Sequence, residues 1–531
     1  MKKRSFAYGA VILAICSILA KLLGGVYRIA LTSALGAEGI GYYQLVFPFF
    51  ALVLAISSNA IPITLSRQIS AELALGKAGS IRWLMKKALI YAIGAGFVGM
   101  VFTIALSRLM SGAQSQAGVY ICYIAISPAI VFVAVANVFK GWFLGHGNTT
   151  PAGISQIVEV VTKLAIGLLV VGAMQSRGLM YAVAGGLLAV SVSEFISFAV
   201  VFIWYLVAGK EERKIKVEKS DSRFFATFLP ITASGLIFPF IAFIDSIMVV
   251  NLLGLGGHEN AVSQYGILTG PVASLINMPI VLAMSISVAI VPAIASAMSG
   301  YDVVSVKTKT ASSIKMCLLI SMPFFIGMIL MSSSLTRLLY PTLGDSQKEL
   351  TAYLMAVMSV NIIVLSLLEV LNAVLQGIGR LRPVLVNIAI GGVIKIILEL
   401  IFVPRFGIVA SGLSTIAFYL IALILNGAHY NTLVGKNINL FKSISKILLS
   451  GAIMSLSVMP SMFISSDIWA LIYAALAGGS VYLISLLATK AIDERELAML
   501  PLGNKLSHLL GKLGYFKESK NYDNGSGVGM R

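Results

Sequence analysis

Lys21 and Arg28 lie seven residues apart inside the first long apolar stretch of the chain. A cation at the middle of a membrane helix costs roughly 2.5–3.5 kcal/mol on insertion scales, so two on one helix imply a compensating role. Seven residues make almost two helical turns, about 10 Å along the axis, and put both side chains on one face. Guanidinium binds phosphate oxygens as a bidentate fork and ammonium adds a point charge, so the pair suits an anion such as a diphosphate. Tyr27, Tyr42, Tyr43 and Gln44 follow as polar or stacking groups for sugars. Tyrosine is also common at membrane interfaces for reasons unrelated to ligands.

Eight further ionisable residues fall inside apolar stretches: Lys140, Glu159, Lys163, Glu194, Asp245, Glu369, Lys395 and Glu399. With Lys21 and Arg28 they make five bases and five acids, enough for complete mutual neutralisation. Glu159–Lys163 and Lys395–Glu399 stand four apart, the spacing of structural helix pairs. The same lysines are candidate substrate-binding groups in a cavity. Lys140 is near the end of its span, where its stem can carry the charge to the headgroups. Glu194 and Glu369 have no evident partner and are candidates for binding a coupling proton or sodium ion. Matching Leu35-Gly36 to Leu253-Gly254 sets Asp245 opposite Tyr27, beside Arg28, and predicts an Arg28–Asp245 gate.

The elements that carry these groups must be membrane helices. Apolar residues make up 58% of the 531 positions, charged residues only 11%, and the mean hydropathy is +0.95. A soluble chain carries about 25% charge. About fourteen spans are expected: 8–32, 40–66, 88–107, 118–144, 151–173, 179–207, 225–252, 262–297, 315–335, 351–378, 383–403, 407–430, 446–464 and 468–489. Runs this long exclude a β-barrel, whose strands alternate over about ten residues. The 262–297 stretch exceeds one simple crossing and is expected to bend near Pro279 or Pro292.

The net charge of +18 is an orientation signal rather than a nucleic-acid signal. With the N-terminus inside, 29 Lys and Arg fall on the cytoplasmic side, and five fall outside: Arg108, Arg177, Arg337, Lys348 and Arg405. This asymmetry predicts a multi-pass plasma-membrane protein with both termini cytoplasmic and anionic membrane lipids as contacts. Cys16, Cys122 and Cys317 are dispersed within spans, which suits neither disulfides nor a metal site. No cofactor is expected.

The chain reads as a duplication. Gly145, Gly147, Pro151 and Lys163 recur as Gly377, Gly379, Pro383 and Lys395 at one offset of 232. Gly99-Met100 matches Gly327-Met328, Arg108 matches Arg337, and Pro62 matches Pro292. Six spans per copy return the chain to its starting side, so the repeats are parallel and meet at a central cavity near the midplane. The expected units are a first six-helix lobe (1–207), a basic cytoplasmic linker (208–224), and a second six-helix lobe (225–430). Two added helices (431–490) and a cytoplasmic tail (491–531) complete the chain.

The stretches Ala20-Lys21-Leu22-Leu23-Gly24-Gly25-Val26-Tyr27-Arg28, Leu35-Gly36-Ala37-Glu38-Gly39-Ile40-Gly41-Tyr42-Tyr43-Gln44 and Ile61-Pro62-Ile63-Thr64-Leu65-Ser66-Arg67 resemble the MATE-type superfamily of exporters. Within it they are similar to the polysaccharide-export branch and its stage V sporulation protein B and Gram-positive lipid II flippase-like group. The resemblance covers nearly the whole chain. It implies MATE-like lobes and a flippase that moves an undecaprenyl-diphosphate-linked sugar or peptidoglycan precursor to the outer leaflet. Arg28 stands at the position of that group's first-helix cavity arginine, and Lys21 where an arginine is often found. The family's other cavity arginines have no counterpart in 262–297, which holds no basic residue.

Transport without an attached ATPase is expected, since no G-x-x-x-x-G-K-[ST] loop occurs. Membrane potential, a proton or sodium remain as driving forces, and cell-envelope biosynthetic enzymes are conceivable partners. The alternative is a multidrug/cation antiporter on the same fold, but that chemistry calls for carboxylates where the first helix has two bases. An enzyme acting on lipid-linked sugars would need a larger external loop than residues 336–350 provide. A non-transporting assembly protein would tolerate loss of Arg28.

Overall fold

In hydrocarbon the backbone must satisfy its own hydrogen bonds, and long apolar segments do this as helices. The computed structural model describes residues 6–210, 215–219, 224–435 and 441–492, and these form helices and their connections. The first half comprises α1 (Phe6–Ser57), α2 (Ile61–Ala74), α3 (Ala78–Ala113), α4 (Tyr120–Gly145), α5 (Thr150–Met174) and α6 (Leu179–Ala208). There follow α7 (Phe224–Gly235), α8 (Ile237–Leu255), α9 (Ala261–Ile267), α10 (Ala273–Ser299), α11 (Val303–Leu339), α12 (Asp345–Met358), α13 (Val360–Gly377), α14 (Leu381–Phe406) and α15 (Ile408–Val434). The last helices are α16 (Phe441–Val458), α17 (Asp467–Tyr473) and α18 (Gly479–Ala488).

Helix α1 has 52 residues, about 78 Å at 1.5 Å per residue, too long for one crossing of a hydrocarbon layer of about 30 Å. It turns at Gly36, whose φ of 69° and ψ of −179° few other residues adopt. The expected spans 8–32 and 40–66 are therefore joined within one bent helix, with no loop between them, and the second runs past the end of α1 at Ser57 into α2. Among the described residues thirteen segments are long and apolar enough to cross a membrane, and the one from Ile12 to Ala74 contains this break. The segment Ala261–Ser299 is irregular, but not where expected. Its π-helical turn spans Leu268–Val272 around Pro271, while Pro279 and Pro292 sit within regular α10. Proline cannot donate its backbone hydrogen bond, and here the helix accommodates it by widening for one turn.

The packing repeats with the sequence. Helix α3 lies on α4, α4 on α6, α5 on α6, α2 on α4 and α1 on α5. The second half places α11 on α13, α13 on α15, α14 on α15, α10 on α13 and α8 on α14. The recurring glycines have a steric reason. A Cβ on Gly145 would lie 2.7 Å from Ile69 Cβ, and one on Gly377 would lie 2.8 Å from Ile294 Cβ. Two residues later, Gly147 and Gly379 both hold positive φ, 71° and 85°, to end α4 and α13.

Each half carries an apolar cluster, and that of the second half also takes in Ala37 and Leu45 of α1. Leu31, Phe49, Tyr123 and Leu187 belong to one cluster of the first half, and Val249, Leu268, Met355 and Ile408 to one of the second. The basic linker does not hang free of these bodies: Arg82 donates to the Ile215 carbonyl at 2.6 Å, and the Glu218 amide donates to Gly79 at 3.1 Å. Arg213, Lys214 and Arg223 of that linker, and the tail from 493, lie outside the described residues. Helix α7 follows the linker onto the first half, where Phe224 and Phe228 pack with Tyr91 of α3. Helices α16–α18 dock on α11 through Leu319, Met322, Met454 and Tyr482.

Candidate functional site

A cavity of about 460 Å³ lies between the halves, walled chiefly by α1 and α5 on one side and α10 and α13 on the other. Glycine at 24 and 25 thins the wall of α1, and Met278 fills the space beside Gly25. The one-face spacing of Lys21 and Arg28 directs both into this cavity. Arg28 Nη1 donates to Ser274 Oγ of α10 at 3.4 Å, and Lys21 Nζ contacts only Met284 Sδ, a weak acceptor, at 3.2 Å. Among the described residues neither cation makes an ion pair. Their hydrogen-bonding capacity is thus largely unspent and faces a half-buried space.

Four more predicted residues meet there, among them Tyr27, whose ring packs against Gly167 of α5. Lys163 of α5 lines the cavity and donates to Glu159 Oε1 at 3.0 Å. Tyr43, on the second arm of α1, lines it too, with its ring stacked on Phe47 at 5.8 Å between centroids. Glu369 enters from α13 and faces Lys21. The result is three cations and one carboxylate around a pocket at the seam of the two halves. Such a site can hold a multiply charged anion and leave one acceptor for a donor group elsewhere on the ligand.

Comparison with known proteins accords with this architecture. The family model described as polysaccharide biosynthesis protein matches residues 6–298, over half of the chain. The chain belongs to the polysaccharide biosynthesis protein family. A second family model, lipid II flippase MurJ, matches residues 273–488. Stage V sporulation protein B of Bacillus subtilis (strain 168) is 24% identical over 530 residues, covering 95% of this chain and 99% of that protein. Among solved structures, lipid II flippase MurJ in an inward closed conformation aligns with a TM-score of 0.70 at 16% identity, over 90% of this chain and 98% of that one. An inward-facing multidrug resistance MATE transporter of the MOP superfamily aligns with a TM-score of 0.65 at 15% identity, over 78% and 94%. This polysaccharide biosynthesis protein is therefore a helical, multi-pass membrane protein with the fold of those MurJ and MATE structures.

Other candidate residues in this family member have different surroundings. Lys395 is 6% exposed and turned from the cavity. It donates to Asp245 Oδ2 and lies 3.8 Å from Glu399, which accepts from Ser411 at 2.8 Å. The Arg28–Asp245 gate is thus not formed, since Lys395 holds the Asp245 carboxylate. The duplication explains why: Tyr27 faces α5, where Gly167 makes room for its ring, so its counterpart Asp245 faces α14 within its own half. Gln44 is buried and donates to the Thr269 carbonyl in the π-helical turn, which makes it a tie between the halves rather than a cavity group. Glu194 is 8% exposed and lies beside Glu159, behind Lys163.

Sequence reasoning missed Ser274 and Asn277, which supply polar groups to the α10 wall. Their three-residue spacing in an otherwise apolar run was the available signal. It is weak, because serine in a membrane helix usually bonds back to its own backbone, as Ser274 also does to Gly270.

Proposed function

We propose that this transporter is a flippase for a lipid-linked, diphosphate-bearing sugar or peptidoglycan precursor, moved to the outer leaflet by alternating access of two lobes. One observation carries the reading: Lys21 and Arg28 face the central cavity and, among the described residues, neither makes an ion pair, although Glu369 stands across the cavity from Lys21. A cation at membrane depth is retained where its partner arrives with the cargo. Lys163 extends the cationic wall, and Tyr43 offers a ring face to a sugar. Similarity to a lipid II flippase supports this class of cargo.

Polar ties between the halves support the direction of loading. Ser33 donates to the Leu339 carbonyl at 3.4 Å and Thr342 to the Ser33 carbonyl at 2.9 Å, both beside the Gly36 bend that ends the first arm of α1, and Ser115, just past the end of α3, donates to Asn251 near the end of α8 at 2.7 Å. With both termini cytoplasmic, as the loop charges argue, the end these ties close is external and the cavity loads from inside. Outward movement of an anion across an inside-negative membrane is favourable by about 2.3 kcal/mol per charge per 100 mV, so a diphosphate carrying two charges gains roughly 4–5 kcal/mol. A cationic drug as cargo would have to displace or neutralise two unpaired bases, so the antiporter reading is the weaker one.

Reconstitution tests the proposal. Proteoliposomes containing a fluorescent undecaprenyl-diphosphate sugar are expected to show outer-leaflet appearance that accelerates under an imposed inside-negative potential. Failure to move that lipid, together with export of a cationic dye, would replace the flippase reading with the antiporter.

A further inference from the structure

Lys163 stands between two environments. In front is the cavity; behind are two acids, Glu159 of its own helix at 3.0 Å and Glu194 of α6. Lys140 of α4 lies within electrostatic reach of both carboxylates, and Tyr43 on the second arm of α1 faces Lys163, with Tyr27 and Arg28 of the first arm beside it. Lys140 and Lys163 therefore balance Glu159 and Glu194, and the cluster is neutral when all four are charged. A lysine four residues from its acid reaches a new partner by turning its flexible stem, without moving either helix.

Resting on the cavity's reading as a diphosphate site, we propose that an anion bound there draws Lys163 off Glu159 and that the acids left behind take up one proton in exchange. Two carboxylates facing one lysine in a low-dielectric interior cannot both stay charged at little cost, whereas the anion supplies Lys163 with a stronger partner. The atoms balance simply: an ammonium hydrogen bond passes from Glu159 to a phosphate oxygen, and a solvent proton binds a carboxylate oxygen of Glu159 or Glu194.

The second half contains the same device without access. Lys395 occupies the duplicated position, paired with Asp245 and close to Glu399, but it is turned from the cavity. Its acid is four residues after the lysine rather than four before, and Gly391 stands where Glu159 has its counterpart. The coupling therefore belongs to the first half alone, and Lys395 is an internal control.

The test is calorimetric titration of detergent-solubilised full-length protein with farnesyl diphosphate in HEPES and Tris, whose ionisation heats differ. Wild type is expected to take up about one proton more than Lys163→Gln, and the double variant Asp245→Asn with Lys395→Gln, which strands no buried charge, to take up as much as wild type. Glu159→Gln frees Lys163, so it should bind the probe several-fold tighter with reduced uptake, a gain that a merely structural Glu159 would not give. Wild type alone supplies a second measurement: linked uptake tightens binding as pH falls, up to tenfold per unit, while protonation of the probe itself acts in the opposite direction. Binding with no proton uptake, or weakened binding in Glu159→Gln, overturns the proposal and leaves the diphosphate site standing. Absence of binding to wild type overturns both.

Discussion

At the scale of single residues, apolar context made charge informative. Lys21, Arg28, Lys163 and Glu369 stood out because each places a charge in an apolar run, the lysines and arginine as anion-binding groups and Glu369 as an ion-coupling candidate, and the structure brings them with Tyr43 to one cavity. Asp245, Lys395 and Gln44 were not assignable, because their partners come from helices far away in sequence and only packing chooses them. The two kinds of residue predict different mutants. Arg28→Lys keeps the charge but loses the planar fork, and transport of a diphosphate lipid is expected to fall at least tenfold, while Lys21→Arg is expected to retain most activity, both read from initial rates in proteoliposomes. Lys395→Met strands a buried carboxylate, at a cost on the order of 3–5 kcal/mol. A clear drop in thermal unfolding temperature in detergent is expected, partly recovered by adding Asp245→Asn.

At the scale of elements, helix existence followed from hydropathy and the breaks did not. Gly36 looked like part of a loop, and Pro271 was passed over for Pro279 and Pro292, because a proline's effect depends on whether neighbouring groups take up the freed backbone. The approach of α1 to α9 was equally invisible. A Cβ on Gly266 would lie 2.3 Å from the Ala37 carbonyl and one on Gly41 would lie 2.2 Å from the Val262 carbonyl, so backbone meets backbone where the halves close. Gly266→Val should hold that end apart. With cysteines at Ser33 and Thr342, where the Thr342 hydroxyl donates to the Ser33 carbonyl, oxidative cross-linking is expected to fall several-fold in the Gly266→Val background. An unchanged cross-linking yield would show that the closed end does not depend on this approach.

At the scale of the whole molecule, duplication was the most readable property, since the glycines that permit close packing in one half recur in the other. The loop charges make a topological prediction: a cysteine at Ser346 should react with a membrane-impermeant maleimide from outside, and one at the exposed Val304 only after the membrane is opened. The attachment of α16–α18 was foreseen only as an addition; the structure ties it to α11 through an apolar cluster and through Arg337, whose Nη2 lies 2.6 Å from Asp467 Oδ1. Least expected was α7, which begins the second half of the chain and packs on the first. Continuity of the polypeptide is then not what keeps the two bodies together. If the gene were split so that residues 1–219 and 220–531 were made separately, the aromatic plug at Phe224 and Phe228 would still find its socket beside Tyr91, and the two fragments should copurify.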